Sequence, residues 1–533
     1  MSMQSPRYYS ARVVKSIESS LPEGKRLPQG WMAVQLGGVG EGLHLKWSGI
    51  ESDANASGEF SETSETSQNP ENPEIETDCY LRITVALDYR EAQFVEVRLL
   101  STSELIGRFD IRFAYVFQPY EIVLSPQQAK AVLREGVSLH VDGGEQPLWI
   151  FVEQGGDVVR RLFSPHLLVQ GNGETSTASG DSGSGNKRAA DTTKLERTLA
   201  AAMNTLASLS SLQPFGWMEG CVLDGMYALR QVLGEERVDP SLDMHLAQYL
   251  DSQGRLLYED LHGRKADGTF TTIEATLPLA VIAKYRPEHP VVKQAVAFWD
   301  ARGLNGDGAV IDDDVVSAEG AYTVAYPLAT IASLHSRRDL AQQAVRQALL
   351  RRDHLARDRY VYLRYHQESD THTFGNWARA FAWYMLGITR TYIELKTSQF
   401  ANLPRVDELK DELIRVAEVA VSWIQPCGLW SNFLHEPETG IDTSGSAGIA
   451  TALALGVQHD VLDRRYREIA EKSLQVLAGY LTPDGILSGV AQHNAGGPEL
   501  QRSGYRVLSQ MGLGLTGQLY AALSQLYSKS AEL

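Results

Sequence analysis

Residues 405–456 read RVDELKDELIRVAEVAVSWIQPCGLWSNFLHEPETGIDTSGSAGIATALALG. Val406, Leu409, Leu413, Val416 and Ala420 fall three and four apart, which puts an apolar stripe on one face of a helix over 405–423. A turn marked by Gly428-Leu-Trp430 follows, and a second apolar run over 443–456 predicts a second helix. Neither helix can bury its apolar face alone, so the stretch reads as one helical hairpin.

The same unit recurs outward from this stretch. Leu462, Tyr466, Ile469, Leu474 and Leu477 repeat the helical spacing downstream. The turn-plus-apolar signal appears at Gly254-Arg-Leu-Leu257, Gly308-Ala-Val-Ile311, Arg359-Tyr-Val-Tyr362 and Gly485-Ile-Leu487, at intervals of about 50 to 70 residues, the period of helical-hairpin arrays. Twelve helices group as 196–211 with 216–233, 239–250 with 271–286, 289–301 with 317–335, 339–351 with 376–394, 405–423 with 443–456, and 462–480 with 505–528. Six hairpins can close into a double ring, an (α/α)6 barrel over 196–533, with the second helix of each pair lining the centre. An open helical array is the alternative.

The N-terminal third has a different texture. Short β-branched and aromatic runs at 31–36, 42–47, 79–89, 94–100, 109–117, 120–124, 137–141 and 148–154 predict eight strands. They imply an antiparallel β-sandwich domain over 1–169. Residues 51–78, acidic and nearly free of large apolar side chains, are expected to be a disordered loop. Residues 170–195, rich in Gly and Ser, are expected to be a flexible linker.

With 533 residues the chain exceeds one ordinary core, and 43% hydrophobic with 22% charged residues is an ordinary globular composition. A net charge of −17 argues against nucleic acid or an anionic membrane as partner. It also requires that any anionic substrate meet locally clustered positive charge. Cys79, Cys221 and Cys427 form neither a metal-ligand spacing nor a disulfide framework, so no metal and no cofactor is expected and a reducing compartment fits. The opening MSMQSPRYYSARVVKSIESS lacks the apolar centre of a signal peptide, and no run approaches the ~20 apolar residues of a membrane span. The expected location is cytoplasmic. The oligomeric state stays open, a homodimer included.

Unusual residues gather where the second helices begin: Trp217 and Glu219, Glu274, Glu319 and Tyr322, Asn376, Trp377, Arg379 and Trp383, Ser446, and Arg506. In a closed ring these points converge. Glu274 and Glu319 would supply the paired carboxyls of glycosidic chemistry, one with its pKa raised by an apolar setting. The Trp residues and Tyr322 would wall a sugar, and Arg379 and Arg506 would hold a carboxylate. Each residue also has a plainer role available. A Glu in a first turn is favoured by the helix dipole alone, and a Trp at helical spacing is more often core.

At these residues the chain resembles the unsaturated glucuronyl and galacturonyl hydrolases of glycoside hydrolase families 88 and 105, over about 210–528. Trp217-Met-Glu219-Gly, Ile273-Glu274-Ala-Thr-Leu-Pro278, Glu319-Gly-Ala-Tyr322, Gly428-Leu-Trp430 with Thr443-Ser-Gly-Ser446, and Gly496-Gly-Pro498 with Gly504-Tyr505 match family segments in order. Trp377-Ala-Arg379-Ala-Phe-Ala-Trp383 is the most specific. The resemblance implies a six-hairpin barrel that removes a terminal 4,5-unsaturated uronic acid from an oligosaccharide. It casts Glu319 and Glu274 as catalytic, and Trp217, Glu219, Tyr322, His366, Asn376, Trp377, Arg379, Trp383, Trp430, Ser446 and Arg506 as substrate-binding. Both catalytic positions hold Glu where the family has Asp, which carries each carboxyl one methylene further. That departure leaves an exo-β-glucuronidase acting on saturated glucuronides as the alternative. A non-catalytic carbohydrate-binding or assembly protein is the second alternative.

Overall fold

The computed structural model describes residues 6–28, 30–38, 40–47, 75–152, 162–170, 184–260, 263–302 and 308–531. The chain forms two compact units. One is Met1–Ser210 together with Pro483–Ile486, and the other is Ser211–Thr482 with Leu487–Leu533. Most of the expected acidic loop (51–74) and the first part of the expected linker (171–183) lie outside the described residues. Ile75, at the end of that loop, is fully buried. From Ser184 onward the stretch expected to be a linker is helical.

The first unit contains strands β1 (Arg7–Ser10), β2 (Arg12–Lys15), β3 (Met32–Gln35), β4 (Leu43–Lys46), β5 (Cys79–Thr84), β6 (Ala92–Leu99), β7 (Leu105–Arg112), β8 (Pro119–Leu124), β9 (Val137–Asp142), β10 (Trp149–Val152) and β11 (His166–Val169), with helices α1 (Pro126–Glu135) and α2 (Ser184–Leu206). Its sheets run in the orders β1-β11-β5-β8, β2-β4-β9-β6-β7 and β10-β3, every pairing antiparallel. Eleven strands among the described residues replace the expected eight. The additions are the short β1, β2 and β11, too brief for alternation to mark them. Helix α1 was not expected either. It starts at a capping box in which Ser125 Oγ accepts from Gln128 N and the Gln128 side chain returns to the Ser125 N–H. Trp31, Phe117, Phe151 and Phe163 pack with ring centroids 4.9 to 6.3 Å apart.

One charged group crosses this apolar interior. Arg82 on β5 is 2% exposed and donates to Glu121 Oε2 on β8 (2.8 Å) and to the Asp484 carboxylate. The Pro483–Ile486 segment also meets α2. Thr205 Oγ1 donates to Asp484 O at 2.6 Å, and a Cβ on Gly485 (φ +85°) would sit 2.6 Å from the Ala202 Cα.

The second unit is helical. Its helices are α3 (Trp217–Leu233), α4 (Glu235–Leu246), α5 (Pro278–Tyr285), α6 (Pro290–Ala301), α7 (Tyr326–His335), α8 (Arg338–Leu355), α9 (Ala378–Lys396), α10 (Val406–Ser422), α11 (Thr443–Gln458), α12 (Arg465–Leu477), α13 (Gly497–Arg502) and α14 (Gln510–Ala531). Contacts run α3 to α5, α5 to α7, α7 to α9, α9 to α11, α11 to α14, and α14 back to α3. A second layer flanks this cycle, with α4 on α3, α6 on α5, α8 on α7, α10 on α9 and α12 on α11. Burial follows the same division. Helix α11 is buried almost all round, whereas α10 buries only its apolar stripe.

Small residues hold the cycle tight. A Cβ on Gly225 of α3 would lie 2.5 Å from Gly514 O of α14, and one on Gly514 would lie 2.6 Å from Cys221 O. Gly445 and Gly448 of α11 lie against Ala378 and Ala382 of α9 in the same way.

Short strands occupy the connections leading into the second helices. They are β12 (Val315–Ser317), β13 (Ala356–Arg357), β14 (Tyr360–His366), β15 (Thr371–Gly375), β16 (Ser431–Phe433), β17 (Glu436–Ile441), β18 (Leu487–Ala491) and β19 (Arg506–Ser509). They shorten three of the expected helices. Pro278 opens α5 after a 3-10 turn over Ile273–Thr276, a π-helical turn over Ala321–Ala325 precedes α7, and β19 precedes α14. Among the described residues no helix is long and apolar enough to cross a membrane.

Candidate active site

Two turns in contact with each other carry or adjoin the expected catalytic residues. Glu274 sits half-buried in the 3-10 turn Ile273–Thr276. Glu319 ends the segment after β12 and leads into the π-helical turn Ala321–Ala325. That wider turn frees the Thr323 carbonyl, and the Thr276 hydroxyl lies 2.6 Å from it. Asp312 ties the turns a second time. Its carboxylate accepts from Ile273 N (3.0 Å) and from Arg302. The backbone of Gly320 packs against the Arg351 guanidinium, where a Cβ would overlap it.

Glu319 is the buried carboxyl of this pair. It is 7% exposed, and its Oε2 has no hydrogen-bond partner. Burial pushes its carboxyl above the usual carboxylate range, against the opposing pull of Arg364, a hydrogen bond from Ser317, Arg379 and Arg351. Asp312 is raised as well, by burial first, with Asp313 and Glu319 adding to it and Arg302 and the Ile273 N–H opposing. A buried carboxyl with an uncommitted oxygen and a preference for its proton has the properties of a general acid.

Aromatic and cationic groups adjoin it. Trp217 meets Trp383 edge to face at 5.5 Å, and Trp383 stacks on Tyr322 at 6.0 Å. The Arg379 guanidinium lies over Trp377 at 4.6 Å and over Trp217 at 5.8 Å. Arg379 is 2% exposed and donates to Ala491 O (2.9 Å) and Gln492 O (2.7 Å), so two of its donors hold the β18 end of the connecting loop.

Several of the expected substrate-binding residues are engaged in hydrogen bonds within the protein. Glu219 is fully buried, accepting from His245 Nδ1 of α4 (2.7 Å) and Gln213 N (2.9 Å). Tyr322 is buried, its hydroxyl donated to Asp224 on α3. Asn376 (φ +55°) closes a turn, its Oδ1 accepting from Val361 N and its Nδ2 donating to Arg359 O. Trp377 donates to Asn432 Oδ1 (3.0 Å) from full burial, and Trp430 donates to Ala420 O (2.7 Å) with no exposed surface. Ser446 is equally buried, donating to Asp442 O. Arg506 clamps Ile441 O, Thr439 O and Gly440 O, which engages its guanidinium with the β17 end. The common reason is local. Each second helix is entered from an irregular connection whose carbonyls and N–H groups need partners, and polar side chains at the helix start are placed to supply them.

The β14–β15 hairpin carries the expected His366 and adds residues that were not expected. Val361 and Leu363 are buried, while Tyr360, Tyr362, Arg364 and His366 alternate with them on the more exposed face. Arg364 pairs in register with Ser317 of β12 and Thr373 of β15. Ala318 N donates to Leu363 O at 2.8 Å, which fixes the approach to Glu319. His366 lies one strand repeat further, opposite Val315. The alternation from Tyr360 to His366 was the available signal, obscured because that stretch also reads as a turn.

The comparisons with known proteins agree with this architecture. The model of Glycosyl Hydrolase Family 88 matches residues 193–518. A possible member of glycoside hydrolase family 105 from Salmonella enterica serovar Paratyphi A is similar in structure at 17% identity, covering 63% of this chain and 94% of its own, with a TM-score of 0.53. A possible family 105 member from Klebsiella pneumoniae is similar at 15% identity, with the same coverage and TM-score. A family 105 glycoside hydrolase from C. acetobutylicum is similar at 16% identity, covering 62% and 99%, with a TM-score of 0.52. No curated protein matches the chain. At such identities the structural likeness is one of fold. The protein is an enzyme of the glycoside hydrolase class. It belongs to glycosyl hydrolase family 88.

Proposed function

We propose that the second unit is an (α/α)6 barrel which removes a terminal 4,5-unsaturated uronosyl residue from an oligosaccharide. The closed cycle of contacts from α3 through α14 supports the barrel. Family membership supports a terminal uronic acid as the substrate feature. The single observation that carries the mechanism is Glu319: a buried carboxyl, raised by desolvation, with Oε2 uncommitted.

The reaction follows from those properties. Protonated Glu319 delivers its proton to C4 of the vinyl ether, and positive charge develops at C5 and the ring oxygen. Water adds at C5 and loses its proton to a carboxylate, Glu274 or the now ionised Glu319. The hemiketal opens to a C5 ketone, and the hemiacetal left at C1 expels the remaining sugar as its alcohol. No ion is required to balance these steps. The longer reach of Glu at both positions fits an active site whose turns have moved back by a comparable distance; a misplacement of about 1 Å can cost ~10²-fold.

The test compares an unsaturated uronosyl disaccharide with a saturated β-glucuronide. Loss of the conjugated ultraviolet absorbance of the first, abolished by Glu319→Gln, is the expected result. Turnover of the saturated substrate alone would replace this reading with ordinary glucuronidase chemistry on the same carboxyls.

A further inference from the structure

We infer that Arg364 is the carboxylate anchor of the site, the residue that makes the enzyme select a uronic acid over a neutral sugar. This rests on the proposed uronoside reading and deepens it. A chain of net charge −17 needs a local cation for an anionic substrate. The candidate arginines are committed to different degrees. Arg351 is fully buried and donates to Ser317 O, Gln347 O and Val310 O. Arg379 donates to Ala491 O and Gln492 O under two tryptophans. Arg506 serves the β17 carbonyls.

Arg364 carries no such commitment. It is half-buried, unlike Arg351 and Arg379, and it stands on the outward face of β14. Among the described residues no carboxylate comes within ion-pair distance of its guanidinium and no acceptor takes its N–H groups. Its register opposite Ser317 puts both side chains on one face, and Ser317 hydrogen-bonds Glu319. The guanidinium therefore stands beside the acid that must protonate C4. In an unsaturated uronic acid the carboxylate is carried on C5, the atom next to C4. A planar fork there can take the carboxylate through two parallel N–H bonds while Glu319 reaches the adjacent carbon. Tyr362 and His366, one strand repeat to either side, lie on the same face.

The experiment has two arms. Isothermal titration with glucuronate reads binding without turnover: the wild type should bind, Arg364→Gln should weaken binding roughly 10- to 100-fold, and Arg364→Lys should recover part of it. Kinetics then compare an unsaturated uronosyl disaccharide with its methyl ester, which lacks the charge. The wild type should prefer the acid, and Arg364→Gln should lose that preference mainly through KM. Unchanged glucuronate binding in a folded Arg364→Gln, verified by circular dichroism, overturns the inference. So does an intact acid-to-ester preference accompanied by a lower kcat and a displaced pH profile, which would make Arg364 a positioning residue for Glu319. Lack of turnover by the wild type on any uronoside, with Arg364-dependent glucuronate binding retained, would refute the proposed reaction and leave the anchor standing.

Discussion

Substituting Gly225 by Ala should loosen the helical cycle where its last member meets its first. Alanine in an unconstrained helix is favoured over glycine by about 1 kcal/mol, so propensity alone predicts stabilisation. The structure predicts the reverse. The new Cβ would fall 2.5 Å from Gly514 O and 3.2 Å from Gly514 Cα, where ordinary contact begins at 3.4 Å. Both obstructing atoms are backbone, so no side chain can swing aside. Helices α3 and α14 must part by about 1 Å, which loosens packing along the seam. Overpacking of this kind costs about 1–3 kcal/mol, and with backbone on both sides the upper end applies. After the propensity gain the net loss is about 2 kcal/mol, a fall of roughly 3 °C in the midpoint of thermal unfolding for a unit of this size. Gly514→Ala should behave alike, because its Cβ would meet Cys221 O at 2.6 Å. The double variant should lose less than the sum, since helices already parted leave room for the second methyl. Scanning fluorimetry on the three variants decides it. A raised midpoint, or strict additivity, would refute the reasoning.

Glu319→Gln should lower kcat on the unsaturated substrate by about 10²- to 10⁴-fold, the usual worth of a general acid. Because burial raises the folded carboxyl, its contribution to stability is full below the unfolded pKa and is lost as pH rises through the folded value. The Gln variant should therefore melt higher than wild type at alkaline pH, and the two should converge in acid; a variant that melts lower throughout would contradict this. Glu219→Ala should destabilise by about 3–5 kcal/mol in urea unfolding while leaving the kcat of the folded fraction unchanged, since it strands buried His245 and Gln213 N; a KM effect without loss of stability would restore its substrate role. His166 is fully buried, with burial first and Arg82 second pushing it down to about 4. Its folded pKa lies below the unfolded value, so its stabilising contribution is present above pH ~6.5 and about 3 kcal/mol is lost as pH falls toward 4, which His166→Gln should blunt in an acid-unfolding titration.

The helices were legible because apolar spacing is set by the helix period, and each second helix is apolar enough to announce burial on every side. The pairing was not: each flanking helix packs chiefly on the second helix before it, α4 on α3 and α6 on α5, rather than on the one that follows. Three of those second helices begin later than expected, at Pro278, Tyr326 and Gln510, because a 3-10 turn, a π-helical turn and a strand occupy the residues before them. What spacing cannot convey is the direction in which a polar side chain turns at such a place. Arg379, Arg506 and Asn376 stand where a substrate contact was expected, yet their donors reach loop carbonyls instead. Glu219 reaches sideways to His245 on the neighbouring helix, a pairing 26 residues away in sequence. Arg364 was overlooked for the opposite reason: it becomes notable only when β12 and β14 pair and set it beside Ser317. Helix α1 is short and polar in composition, so its amphipathic pattern was submerged among strands.

The membership of Pro483–Ile486 in the first unit has a consequence for how the protein is made. A ribosome delivers residues in order, and domains generally fold as they emerge, the N-terminal ones first. Here the first unit lacks four of its own residues until the intervening Ser211–Thr482 has been synthesised. During that interval β5 carries Arg82 without the carboxylate of Asp484, and α2 lacks the carbonyl that Thr205 engages. The first unit to emerge thus stays incomplete until residue 486 is made, and a nascent chain stalled before residue 483 would expose that gap to limited proteolysis.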